Sequence, residues 1–320
     1  MEAGGRTPPL SLQFDAAGSR RAATMYSIDT RRAPAPEARP AQEPVIQMSS
    51  KASSTPGPLR RRLLALALAL AAGAAAAQAL PDLGGRKVVA VTENAFPPLN
   101  LLDPRTGKGV GWEYDCFNEV ARRLHLVVDW RVSSWDVMIE SIRSGQFDVG
   151  MDGISATDER RSQVDFSAPY MRAPMLMLVR ADETRFRDPA SFRANAKLLA
   201  GAQPGTTGFY ATGRALLGTP STSPRIKLFE TYGATVQALR AGDVDVVLSD
   251  TTGASANLAR FPGTFKIVGA PLPGEDYAFI LKKGSPLKAP IDAALASMVS
   301  DGTIARLNAR WLQPLPQASK

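Results

Sequence analysis

From Arg86 onward the chain alternates between two periods of apolar residues. RKVVAVTEN (86–94) is a short β-branched run and predicts a strand, whereas GWEYDCFNEVARRL (111–124) spaces its apolar residues for one helical face. LVVDWRV (126–132) predicts a second strand, WDVMIESIRSG (135–145) a second helix, and FDVGMDG (147–153) a buried strand. Strands separated by helices of this length predict an α/β fold with parallel sheets covered on both faces.

One segment recurs. IESIRSGQFDVGMDG (139–153) aligns without a gap with VQALRAGDVDVVLSD (236–250), pairing Arg143 with Arg240, Gly145 with Gly242 and Asp148 with Asp245. Each copy reads as a helix closed by a Gly C-cap, then an acidic strand start, then an apolar strand. Two copies predict two lobes built alike. Ligands of open α/β sheets sit beyond the carboxyl ends of strands, so Asp152-Gly153 and Ser249-Asp250 are the places to look.

Composition changes the picture mainly at the N-terminus. The formal charge is +8, but ten Arg or Lys and five acids precede Leu80, leaving 28 basic and 25 acidic residues after it. The basic excess is therefore not a nucleic-acid surface. Arg60-Arg61-Arg62 followed by LLALALALAAGAAAAQA has the charged start, apolar run and small-x-small end of a secretory signal peptide, with cleavage expected after Ala79. No Cys adjoins this run, which excludes a lipoprotein anchor. Residues 1–47 are rich in Pro, Arg and Ala without periodicity and read as a non-native or disordered extension ahead of a signal at 48–79. A single Cys and a single His exclude an internal disulfide and the usual zinc sites. Cys116 shares a stripe with Phe117, Val120 and Leu124 and reads as core, while His125 reads as surface.

Three places carry candidate chemistry. After Asp152-Gly153 comes ISATDERR, where Thr157 suits an N-cap and Arg160 falls in the first helical turn. A cation is mildly unfavourable there unless it is aimed at an anion, and Arg can hold a carboxylate through two parallel bonds. The same spacing also suits a surface Arg paired with Asp158 or Asp165. Gln203-Pro204-Gly205-Thr206-Thr207-Gly208 lies between a strand-like KLLAGA and a helix-like FYATGRALLG, offering N–H groups and hydroxyls to a small anion. It lacks the spacing of a nucleotide loop. Asp250 is expected at a strand end, where it could accept a ligand ammonium or cap the helix of TTGASANLA.

Taken together, MDGISATDERRSQVDFSAPY, VGWEYDCFNEVARRL, WDVMIESIRSGQFDVG, QPGTT, DVDVVLSD and SDGTIARLNARW resemble, in order, the motifs of the family 3 extracellular solute-binding proteins of amino-acid ABC transporters. The resemblance spans about residues 86–313. It implies a two-lobed periplasmic-binding-protein (Venus-flytrap) fold, with lobe 1 at 86–173 plus 274–316, lobe 2 at 174–273, and two crossing strands between them. By motif position Arg160 would clamp an α-carboxylate, helped by Ser155, Gly153 and, from lobe 2, Thr206 and Thr207. Asp250 would accept the α-ammonium, and Phe96 and Trp135 would sandwich the ligand side chain. Asp152 stands where such proteins usually carry a small or hydroxyl residue; with Glu93 it points to a cationic ligand, or else it shares the α-ammonium with Asp250. The implied setting is periplasmic: a monomer without cofactor or nucleic-acid partner, serving a separate inner-membrane ABC permease. Two other readings of the same fold are a cyclohexadienyl dehydratase-like enzyme, with Asp152 or Glu93 as general acid, and a sensor acting through a partner.

Overall fold

The computed structural model describes residues 79–312; the extension at 1–47, all of the signal segment but Ala79, and residues 313–320 lie outside the described residues. The first apolar run forms β1 (Lys87–Thr92), in which Val88, Ala90 and Val91 are fully buried. Three short strands, β2 (Ala95–Phe96), β3 (Asn100–Leu102) and β4 (Gly109–Val110), make a small antiparallel sheet. Helix α1 (Trp112–Arg123) carries Glu113 and Asp115 in its first turn and Arg122 and Arg123 in its last, the arrangement its macrodipole favours. Trp112, Cys116, Phe117 and Val120 bury its apolar face, as their spacing predicts. Strand β5 (Val127–Val132), helix α2 (Trp135–Ser144) and strand β6 (Val149–Gly150) follow, then α3 (Asp158–Gln163) and β7 (Asp165–Phe166).

Strand β8 (Met171–Arg180) leads into a second set: α4 (Pro189–Ala194), β9 (Ala200–Ala202), α5 (Thr207–Ala211) and a π-helical turn over Thr212–Leu217. Strand β10 (Ile226–Leu228), α6 (Tyr232–Ala241), β11 (Val246–Asp250) and α7 (Thr251–Arg260) complete it. Strand β12 (Phe265–Tyr277) returns to β13 (Ile280–Leu281), α8 (Lys288–Ser300) and α9 (Thr303–Trp311).

Two five-stranded sheets result, ordered β5-β1-β6-β13-β7 and β10-β9-β11-β8-β12. In each, three strands joined through helices are parallel, and the second strand, first strand and third strand lie in that order. The sheets are less parallel than the alternation predicts. β13 runs antiparallel to β6 and β7, and β8 and β12 run antiparallel to each other. These strands are reached by direct crossing between sheets, without the helical crossover that parallel pairing requires. The buried strand expected over 147–153 is also shorter, because Gly153 turns the chain with φ of 57°.

The repeat is real in three dimensions. Gly145 and Gly242 both close their helices in the left-handed region, at φ of 85° and 91°. The matched acids then brace the first strand of each set in the same way. Asp148 donates its N–H to Val89 O at 2.9 Å and accepts from Val89 N at 2.8 Å. Asp245 donates to Leu199 O at 2.7 Å and accepts from Leu199 N at 2.8 Å. Each lobe has its own core, one around Trp112, Phe117 and Phe279, the other around Phe192, Leu198 and Leu216.

Strands β8 and β12 carry the chain between the lobes. β12 loses register with β8 on either side of Leu272, and Gly269 lies at φ of 74°. At Gly274 the two strands approach so closely that a Cβ would lie 2.0 Å from Ala173 O.

Candidate functional site

Within each sheet the first and third strands are neighbours whose connecting helices leave on opposite faces, which opens a crevice at their carboxyl ends. Glu93 follows β1, Asp152 and Gly153 follow β6, Gln203 and the Gly-Thr-Thr turn follow β9, and Asp250 ends β11. The two crevices face one another across a cavity whose open space, counted out to its mouth, is about 630 Å³.

Nine of the ten sequence-predicted residues line this cavity: Glu93, Phe96, Trp135, Asp152, Gly153, Arg160, Thr206, Thr207 and Asp250. Arg160 is 7 % exposed. Thr157 caps its helix as expected, and no acid among the described residues lies within ion-pairing distance of the guanidinium, so the pairing with Asp158 or Asp165 is not made. Instead Nη1 donates to Ser155 O at 3.1 Å, Nη2 donates to Gly205 O at 3.0 Å, and the group lies 4.9 Å from the Trp135 ring centre. Burial lowers its pKa from the ordinary arginine value.

Asp250 is both a helix cap and a cavity wall. Its Oδ1 accepts from Thr252 N at 2.7 Å, from Gly253 N at 3.0 Å and from the Thr252 hydroxyl, which leaves Oδ2 outside the cap. Thr206 Oγ1 is committed within its turn, donating to Gln203 O and accepting from Phe209 N.

Gly153 and Ser155 have partners within the protein. The Gly153 N–H donates to Glu113 Oε1 at 2.9 Å. Glycine is needed there for its positive φ and because a Cβ would meet the Phe96 ring at 2.5 Å. Ser155 borders an adjoining pocket that shares Arg160 and Thr207 with this cavity; its hydroxyl shares a hydrogen bond of 3.1 Å with Thr207 Oγ1 across the lobes.

Sequence reasoning misses Tyr232, Gln203, Tyr277 and the pair Asn100–Glu113. Continuing the repeat upstream by four residues pairs Trp135 with Tyr232, and each opens its helix and walls the cavity. The match of Val89 with Leu199 likewise carries Glu93 onto Gln203, and these two touch, Gln203 Nε2 donating to both carboxylate oxygens at 3.1 and 3.2 Å. Glu113 betrays itself as an acid inside the apolar stripe of α1; it is completely buried and takes bonds from Asn100, Gly153 and Tyr170.

The electrostatics are lopsided. Burial raises the Glu93 carboxyl against the opposing bonds from Gln203 and Trp135. Burial, then the charges of Glu93 and Glu113, push Asp152 well above the usual carboxylate range. Three carboxylates thus line the cavity with one guanidinium. No group of three His, Cys, Asp or Glu among the described residues is placed to hold a metal ion.

Two sheets of second-first-third order, crossed by a pair of strands and clasped over a charged cavity, define a two-lobed binding protein. Residues 88–314 match the bacterial extracellular solute-binding proteins, family 3, and the chain belongs to that family. It is 26% identical over 223 residues to the L-cystine-binding protein TcyA of Bacillus subtilis, covering 69% of this chain and 79% of that one. It is 27% identical over 226 residues to a probable histidine-binding protein of Neisseria gonorrhoeae, covering 70% and 79%. Among solved structures, the arginine-, lysine-, histidine-binding protein ArtJ of Geobacillus stearothermophilus is 30% identical with a TM-score of 0.65, over 72% of this chain and 97% of that one. An ancestral amino acid-binding protein, a precursor of cyclohexadienyl dehydratase, is 26% identical with a TM-score of 0.64, over 71% and 96%.

Proposed function

We propose that this protein captures a free amino acid between its lobes and hands it to an ABC permease. The observation that carries the reading is Arg160: a buried guanidinium, without a carboxylate partner among the described residues, in the same cavity as Asp250. A desolvated cation is costly unless an anion meets it. An α-carboxylate supplies that anion to the N–H groups that the two carbonyl bonds leave over, and the α-ammonium then falls to Asp250. Trp135 and Phe96 form apolar walls for the side chain. The surplus of carboxylates, with Glu93 and Asp152 beyond the backbone clamp, favours a cationic side chain.

Lobe 1 (86–173 and 274–316) and lobe 2 (174–273) would close as two bodies about β8 and β12. The signal segment would take the chain to the periplasm, where it would act as a monomer. Titration calorimetry tests the ligand class: arginine, lysine and ornithine are expected to bind more tightly than glutamine, and tighter binding of glutamate refutes the cationic preference. Arg160→Ala is expected to weaken every α-amino acid by about a hundredfold or more; unchanged affinity would remove Arg160 from the clamp.

One observation favours a second reading. A buried carboxyl held above its usual range is what a general acid requires, and Asp152 is such a group. Phenylpyruvate formed from prephenate by the purified protein would establish a dehydratase.

A further inference from the structure

Behind the cavity wall two carboxylates share one amide. Asn100 Nδ2 donates at 2.8 Å to Glu113 Oε2 and at 2.8 Å to Asp152 Oδ1, while Asn100 Oδ1 accepts from Phe96 N at 3.3 Å. The two acids are not equally served. Glu113 is wholly buried and receives three donors, from Asn100, Gly153 N–H and the Tyr170 hydroxyl. Asp152 is 8 % exposed and receives only the Asn100 bond, so that its Oδ2 has no donor among the described residues, and its side chain lines the cavity.

The charged groups facing Asp152 come from three elements: Glu93 after β1, Glu113 on α1 and Arg160 on α3. Two of the three are acids, and none of the ion pairs in the described residues includes Asp152. A carboxylate so placed has one donor, and two acids against one guanidinium around it, an arrangement that disfavours its charged form. Glu113, with its three donors, is the better-stabilised anion of the pair, although burial raises its pKa too.

We propose that Asp152 carries a proton until a cationic ligand side chain reaches it, so that the site takes up its ligand in exchange for a proton. This rests on the amino-acid reading above and names the ligand's charge class. The bookkeeping of atoms is simple: the Asp152 O–H bond breaks, the proton leaves to solvent base, and the carboxylate accepts an N–H from the incoming guanidinium or ammonium. One positive charge enters and one leaves. A neutral ligand brings no replacement, so Asp152 keeps its proton and donates it in a hydrogen bond to an acceptor such as a carboxamide oxygen. Glu113 and Asn100 are positioning residues: they never touch ligand, and they fix both the orientation and the charge state of Asp152.

The sign of the pH dependence follows. Affinity for arginine rises with pH up to the range in which Asp152 ionises by itself and is flat above it. Affinity for glutamine is flat and then falls.

The experiment is calorimetric titration of the purified full chain with L-arginine and with L-glutamine, each in two buffers of different protonation enthalpy, between about pH 5 and pH 8. Near one proton is expected to be released with arginine and none with glutamine. In Asp152→Asn the release is expected to vanish and arginine affinity to fall by about tenfold or more. In Glu113→Gln, where that protein folds, arginine still binds and the release at neutral pH drops toward zero, an effect that loss of packing alone does not produce. Arginine binding without buffer dependence across the whole pH range overturns the inference while leaving the amino-acid reading in place. Should no amino acid bind the wild-type protein, both readings fall together.

Discussion

At the scale of single residues, the site is held by side chains whose partners are specific and few. Gly153 combines a φ of 57° with a Phe96 ring where its Cβ would be. Gly153→Ala is therefore expected to cost about 1–3 kcal/mol in chemical denaturation and, by displacing Phe96, to weaken ligand binding in calorimetry. Tyr232 offers a contrasting case. Its hydroxyl shares a bond of 2.6 Å with Ser249 Oγ and accepts from Asn257 Nδ2 at 3.0 Å, so Tyr232→Phe leaves two buried polar groups short of a partner. A loss of about 1–2 kcal/mol in thermal or denaturant unfolding is expected, with the aromatic wall of the cavity preserved. Arg160 and Asp250 were legible from sequence as a cation at a helix start and an acid at a strand end, and the Gly-Thr-Thr turn as N–H groups and hydroxyls between a strand and a helix. Tyr232 was not, since an aromatic at the start of a helix is unremarkable until its repeat partner is known. Glu113 was hidden in a stripe that reads as apolar.

At the scale of elements, the repeat explains why the same helix–strand unit can stand twice. The acid at the start of the third strand replaces a ladder contact with a side-chain bond, and in lobe 2 the brace is reinforced. Asp245 Oδ1 accepts from Arg185 at 2.5 Å and from Arg180 at 3.2 Å. Burial would raise this carboxyl, but the Leu199 bond and the two arginines outweigh it and hold it below the usual range. A depressed folded-state pKa means stability that is present above the unfolded carboxylate's pKa and is lost as pH falls through the folded one. Asp245→Asn is thus expected to destabilise the protein near neutrality by about 1–3 kcal/mol and to flatten the acid limb of its stability curve, which denaturant titrations from neutral to acid pH would read. The helices and the first strand of each lobe were legible because their periodicity is strong and local. The antiparallel strands were not. β13 is two residues long and pairs Ile280 with Gly150 and Phe166, a pairing set by the crossing of the chain between sheets rather than by any local pattern.

At the scale of the whole molecule, side-chain contacts among the described residues join the lobes besides the crossing strands. Ser155 meets Thr207, Arg160 meets Gly205 O, Glu93 meets Gln203, and Phe96 stands edge-on to Tyr232 with ring centres 5.0 Å apart. The crossing strands approach each other closely at Ala173 and Gly274. Gly274→Val is expected to push them apart and hold the lobes open, seen as a larger radius of gyration in solution scattering that amino acids no longer reduce.

The Glu93–Gln203 bond joins residues that occupy the same place in the two halves of the chain, so it lies where the halves are related to each other. A ligand's apparent dissociation constant is its intrinsic one divided by the fraction of molecules already competent to hold it. Each clasp contact enlarges that fraction, and each must also break before the cargo can leave. Grip and unloading are therefore drawn from the same bonds: a Gln203 variant that closes more firmly would retain its cargo longer and surrender it more slowly, and one that closes less firmly would do the reverse.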